Sequence, residues 1–350
     1  MTTSVEGAKA RPATHPEPPQ PTAWAKIRNS SALRELSLLP AILVVMVLGF
    51  ILSPQFLTVN NLLNNVLVNS AVLGVVVVAE SIILISGYFD LSLESIVGFI
   101  PMIAAWLSVP SALGGLGIEL PAVATIAIGF VIAGLIGLLN GYLVAKLKLN
   151  AFMVTLAMLI FLRGITMGVS AGQTLSGLPT PLLWLGRTSV LGISVQVWLF
   201  VLIFALAWLI MRNHPIGRRL YAMGGNEAAA EAAGIRTTRM TIAVFVTGAL
   251  IAAFAGFMLT GRIASATSNQ GDGLIFTVFA AAVIGGISLN GGKGSMIGAF
   301  LGVIILGMVD NILTLSRVPS YWVQATYGFI ILAALVVNRF ASQREHRRSV

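Results

Sequence analysis

The stretch Val66–Ser86 reads V-L-V-N-S-A-V-L-G-V-V-V-V-A-E-S-I-I-L-I-S, with one charged residue, Glu80. A helix needs about 20 apolar residues to cross roughly 30 Å of hydrocarbon, and this stretch supplies them. Working outward from it, nine more stretches of the same kind appear: Leu36–Ser53, Leu91–Val109, Pro121–Ala145, Phe152–Val169, Ser194–Met211, Thr241–Gly261, Leu274–Ser288, Ser295–Leu315 and Trp322–Asn338. An all-α integral membrane protein of about ten transmembrane helices is therefore expected. Leu274–Ser288 is short and reads as a partial span or a broken helix. Backbone that breaks at membrane depth must be covered by protein or line a cavity.

Composition points the same way. Of 350 residues, 57% are hydrophobic and 9% charged, against roughly 25% charged in soluble domains. Too little polar surface remains to face water on all sides. Residues 1–35 read as a disordered tail, 36–338 as the membrane domain and 339–350 as a basic tail. The first 20 residues are rich in Pro, Thr and Ala without an apolar run, so they are not a secretory signal.

Lysine and arginine in short loops set orientation. With the N-terminus in the cytoplasm and ten alternating spans, seventeen of the 21 Lys and Arg fall inside. Only Arg187, Arg262 and Arg317 fall outside, and Arg163 lies within a span. Both termini are expected in the cytoplasm. The same distribution accounts for the net charge of +9 without a nucleic-acid partner.

With no cysteine and three scattered histidines, His15, His214 and His346, neither a disulfide framework nor a Cys/His metal site is expected. Gly291-Gly292-Lys293-Gly294 imitates a phosphate loop, but Ile287 replaces the first glycine and Gly294 the Ser or Thr. Any ATP used would be hydrolysed by another subunit.

Membrane helices approach closely at small residues. Gly137 and Gly141 share a face of the fourth span, and Gly294, Gly298 and Gly302 one of the ninth. These read either as packing within one subunit or as a subunit interface or pathway wall. Ionisable groups in spans are costly and default to function. Glu80 is the most interior carboxylate. Asp90 and Glu94 either serve a pathway or cap the third span as acids near its N-terminus. Arg163 and Asp310 fit snorkelling or structural pairing, and Asn69 and Asn140 add polar groups.

The longest connection, Arg212 to Met240, contains N-E-A-A-A-E-A-A-G. Asn226 is a good N-cap, Glu227 suits the helix dipole, the alanines favour helix and Gly234 is a natural stop. A helix of about two turns is too short to stand alone. It is either an ordinary surface helix or a docking element.

Five ordered blocks then carry a family resemblance. They are Pro54-Gln55-Phe56-Leu57 with Asn60-Asn61-Leu62; Ser86-Gly87 with Asp90-Leu91-Ser92 and Ser95; Asn140-Gly141, Phe152 to Leu156 and Arg163-Gly164; Gly217 to Asn226 with Ala229-Ala230 and Gly234-Ile235; and Gly285 to Leu289 with Gly291-Gly292 and Gly294-Ser295. Together they resemble the permease subunits of ribose-, xylose- and arabinose-type ABC importers, and more distantly branched-chain amino acid permeases.

The resemblance implies a type II-like importer permease fold in a bacterial cytoplasmic membrane and a monosaccharide cargo. It implies a second permease subunit, a cytoplasmic ATPase that uses ATP and Mg, and an extracytoplasmic sugar-binding protein. No cofactor is expected on this chain. It makes the alanine helix a coupling helix, with Gly217, Tyr221, Gly224, Gly225, Asn226, Ala229, Ala230 and Gly234 as coupling residues. The candidate pathway residues, read from their polarity, are Asn69, Glu80, Asp90 and Asn140. Tyr88 and Glu94 replace family glycines, Glu80 stands where an apolar residue is usual, and Ile275 and Thr277 stand where acids are usual. A short internal echo relates Ser86-Gly87 through Gly98 to Gly285-Gly286 through Gly298 with one gap. The alternatives are an ion-driven secondary transporter with Glu80 or Asp90 as coupling carboxylate, and an ABC permease for another small polar solute.

Overall fold

A computed structural model describes residues 38–319, with 322, 323, 325–329 and 332. Both tails, and most of the span expected at Trp322–Asn338, lie outside the described residues.

The order is α1 (Leu39–Leu52), α2 (Val59–Ile85), α3 (Ser92–Ser108), α4 (Ala122–Ala145), α5 (Ala151–Ser170), α6 (Thr180–Arg187), a β1–β2 hairpin (Ser189–Val190, Ile193–Ser194), α7 (Val195–Asn213), α8 (Pro215–Gly225), α9 (Glu227–Ala232), α10 (Thr237–Ile263), α11 (Leu274–Ile284) and α12 (Met296–Leu315). Among the described residues, six helices (α2, α4, α5, α7, α10 and α12) are long and apolar enough to cross a membrane, while α1, α3 and α11 are shorter.

α2 and α10 form the centre. α10 packs on α4, α2, α3 and α6, and α2 also contacts α7, α11 and α12. α2 begins seven residues before the expected Val66, because Thr58 Oγ1 caps it at Asn61 N (3.3 Å) and a π-helical stretch, Leu62–Leu67, carries it into the span. Such bulges interrupt the regular ladder without ending the helix.

The glycine faces pack inside this subunit. A Cβ on Gly137 would sit 2.6 Å from the Phe245 carbonyl oxygen, and one on Gly141 would sit 2.8 Å from Ile242 Cα, so α4 lies backbone to backbone on α10. Gly298 and Gly302 meet the carbonyls of Gly285 and Ala281, which seats α12 on α11. Gly294 precedes α12 and sits at φ +135, so the expected three-glycine helical face has two members.

α11 has 11 residues, about 16 Å at 1.5 Å per residue, too short to span. The chain before it, residues 264–273, runs into the protein, where Gln270 is buried. The Gln270 amide donates to the carbonyls of Val97 (2.8 Å) and Gly256 (3.2 Å) and accepts from Thr260 Oγ1 (3.0 Å). This is a broken span with its exposed backbone covered by protein.

The internal echo has a backbone counterpart. After α2, the amides of Ser86, Gly87 and Tyr88 donate to the carbonyls of Ile82, Leu84 and Ile83; after α11, those of Gly285, Gly286 and Ile287 donate to Ala281, Val283 and Ala282. Every pair is offset by the same interval. Gly87 (φ +92) and Gly286 (φ +80) take the left-handed conformation both turns require.

Candidate functional site

One end of the bundle gathers the α2–α3 turn, the α4–α5 turn, α8–α9 and the loop before α12. The segment expected as a plain connection contains a second helix, α8. His214 Nδ1 caps it at Ile216 N (3.3 Å) and Pro215 fills its first turn. Leu220 and Met223 bury its inner face, and Tyr221 Oη donates to the Gly294 carbonyl (2.9 Å). α9 forms as expected. Asn226 Oδ1 accepts from Ala229 N (3.0 Å), and Gly234 (φ +84) closes the helix with Ile235 N donating to the Ala230 carbonyl (3.0 Å).

The residues expected to couple divide by the face they present. Gly225, Asn226, Ala229 and Gly234 point outward or lie exposed. Gly217, Tyr221, Gly224 and Ala230 seat the two helices on the membrane domain. A Cβ on Gly224 would stand 1.9 Å from the Ile85 carbonyl oxygen and 2.6 Å from Gly292 N. Gly224 is therefore a contact point. Gly292 N itself donates to the Ile85 carbonyl (2.9 Å), and Gly87 meets Gly291 backbone to backbone.

Glu227, the first residue of α9, faces an open cleft of about 560 Å³ between Tyr88, Val144, Lys148 and Phe152. Its Oε2 accepts from Tyr88 Oη (3.1 Å), and its Oε1 lies 3.6 Å from Lys148 Nζ. Tyr88 Oη also accepts from Thr241 Oγ1 (3.2 Å), and its ring lies 6.0 Å from that of Phe245. Burial first, and the Glu227 charge as well, push the Tyr88 phenol up to about 12, against a smaller lowering by Thr241. The phenol stays a donor at neutral pH.

Deeper in, Glu80, Asp90, Ser92 and Asn140 are fully buried together. Asp90 N donates to Glu80 Oε1 (3.5 Å), Asp90 Oδ1 accepts from Ser92 N (2.9 Å) and Oγ (2.5 Å), and Asn140 Nδ2 donates to Ser92 Oγ (3.0 Å). Glu80 lies five residues before the end of α2, so the turn folds back and α3 starts about 7 Å inside the bundle end. Among the described residues, Glu80 Oε2, Asp90 Oδ2 and Asn140 Oδ1 have no partner, an unusual concentration of unsatisfied buried oxygen. Asn69 is not part of this cluster. It accepts from Arg262 Nη1 (3.0 Å), on the residue before the last of α10, at the opposite end of the bundle.

A second polar cluster joins residues the sequence kept apart. Glu94 Oε1 pairs with Arg163 Nη2 (3.1 Å), and Oε2 accepts from Ile275 N (3.1 Å). Arg163 also reaches the Gln270 carbonyl (3.2 Å) and Asp272 (3.5 Å). Glu94 thus serves the start of α11 as well as its own helix. Asp310 accepts from Tyr327 Oη (2.8 Å), a structural pairing. Gln270, Asp272 and the Glu227 link were missed. The one signal for the first two is the polar run S-A-T-S-N-Q-G-D-G at 265–273 beside a short apolar stretch.

An apolar bundle that closes its charges into clusters and shapes one end into small capped helices has the build of a multi-pass membrane protein. The model for the family described as "Branched-chain amino acid transport system / permease component" matches residues 62–335, and the chain belongs to that family of multi-pass membrane proteins. It is 33% identical over 309 residues to the ribose import permease protein RbsC of Haemophilus influenzae, covering 87% of this chain and 93% of that one. It is 34% identical over 310 residues to RbsC of Escherichia coli K12 (87% and 94%). It is 34% identical over 319 residues to the autoinducer 2 import system permease protein LsrC of Escherichia coli K12 DH10B (90% of each). No solved structure matches the chain.

Proposed function

We propose that this chain is the membrane-spanning subunit of an ATP-binding-cassette importer that carries a monosaccharide, ribose or a related pentose, into the cytoplasm. The observation that carries this reading is α9, a capped two-turn helix that offers Ala228, Ala229, Ala232 and Ala233 outward at one end of the bundle. Small side chains let a groove on a cytoplasmic ATPase close over it. Lys148, Arg218, Arg219, Arg236 and Lys293 lie at the same end of the bundle, and the positive-inside rule supports a cytoplasmic location for that end. A second copy of the permease completes the pore, an extracytoplasmic binding protein delivers the sugar, and ATP and Mg act on the ATPase. Ribose import by the relatives supports the choice of cargo.

Reconstitution tests it. Liposomes holding permease, ATPase and binding protein should accumulate ribose only with ATP and Mg, and omission of the ATPase should abolish uptake. The buried Glu80–Asp90 pair favours one other reading, an ion-driven carrier. Ribose uptake by permease alone under a proton or sodium gradient would establish that instead.

A further inference from the structure

We infer that Glu227 and Tyr88 form a latch that ties the ATPase-docking helix to the α2–α3 turn and so transmits ATPase motion to the buried Glu80–Asp90 cluster; this rests on the importer reading. The geometry divides one carboxylate between two turns. Oε2 accepts from Tyr88 on the α2–α3 turn, and Oε1 faces Lys148 on the α4–α5 turn. Tyr88 stands two residues before Asp90, whose amide meets Glu80. Displacement of α9 must therefore break the latch or drag the turn, and with it the start of α3. Its base is held: Thr241 donates to the Tyr88 oxygen and Phe245 backs the ring, both from α10.

The two halves of the latch are unequal. The Lys148 and Glu227 side chains are 67% and 39% exposed, and such surface pairs contribute little. The Tyr88 bond is half-buried and has a charged acceptor, the stronger kind. Transmission runs through Tyr88.

Tyr88→Phe removes the bond and keeps the ring on Phe245. The complex of permease, ATPase and binding protein is reconstituted, and ribose moved per ATP hydrolysed is measured beside melting temperature and ATPase co-purification. The ratio should fall roughly threefold to tenfold with the other two unchanged, and Tyr88→Phe should add nothing in a Glu227→Ala background. Lys148→Ala should change the ratio less than about twofold. An unchanged ratio in Tyr88→Phe overturns the latch, as does a fall in melting temperature with the ratio intact, which would make Tyr88 structural only. Failure of the wild-type permease to hold any ATPase would overturn the importer reading, and the latch with it.

Discussion

Glu94 Oε2 accepts a hydrogen bond from the backbone amide of Ile275 across 3.1 Å, joining α3 to the first turn of α11. A carboxylate there satisfies an otherwise orphaned amide and meets the positive end of the helix dipole. The same carboxylate holds Arg163. One side chain thus fixes the start of the broken span and neutralises a cation within the bundle.

Removing Glu94 should therefore cost more than removing Asp272. Glu94→Ala leaves Arg163 and the Ile275 amide without their shared acceptor, a loss of about 3 kcal/mol for a buried pair. Asp272, with a side chain 73% exposed, should cost less than about 1 kcal/mol as Asp272→Asn. Thermal unfolding in detergent separates the two; equal losses would remove Glu94 from its structural role.

Glycine roles at the α8–α9 junction should separate as sharply. Gly224→Ala drives a Cβ into the Ile85 carbonyl and the Gly292 amide, both backbone, while a Cβ on Gly225 meets nothing within 4 Å among the described residues. Gly224→Ala should lose at least about 2 kcal/mol, in the range of overpacked sites, and lower membrane abundance. Gly225→Ala should fold normally. Immunoblots of membrane fractions and melting curves decide; a tolerated Gly224→Ala would show that the three turns do not pack as described.

The long apolar runs, the Asn226 and Gly234 caps and the short eighth stretch were legible because each is a local pattern with a local cause. What escaped was pairing at a distance. Glu94 and Ile275 are 181 residues apart, and nothing near Glu94 signals a partner other than its own helix. Helix α8 was hidden by its composition: Gly217, Gly224 and Gly225 are poor helix formers, yet Gly217 and Gly224 are there to let backbones touch. Of the four candidate pathway residues, polarity alone could not separate Asn69, at one end with Arg262, from the three that meet inside.

Topology follows from placing the α8–α9 end in the cytoplasm. A reporter fused after Leu220 should read cytoplasmic, and one near Ser176, between α5 and α6, should read extracytoplasmic. The opposite result at either site would sink the ten-span arrangement, and both together would reverse the orientation and remove α9 from the reach of an ATPase.

Docking on α9 should depend on which alanine is changed. Ala229 is exposed and Ala230 is 4% exposed against the membrane domain. Ala229→Arg places a long cation on the outward face, near Arg236 and Arg239, without entering the core. It should abolish ribose uptake and weaken ATPase co-purification by about tenfold or more, about 1.4 kcal/mol of binding, at normal permease abundance. Ala230→Arg would bury a charge between α9 and the bundle, at a cost of several kcal/mol, and should reduce the permease itself. Quantitative co-purification from membranes, normalised to permease level, distinguishes them. Loss of abundance with Ala229→Arg and none with Ala230→Arg would mean that the helix presents its other face, and full docking of the Ala229→Arg protein would mean that the ATPase binds elsewhere.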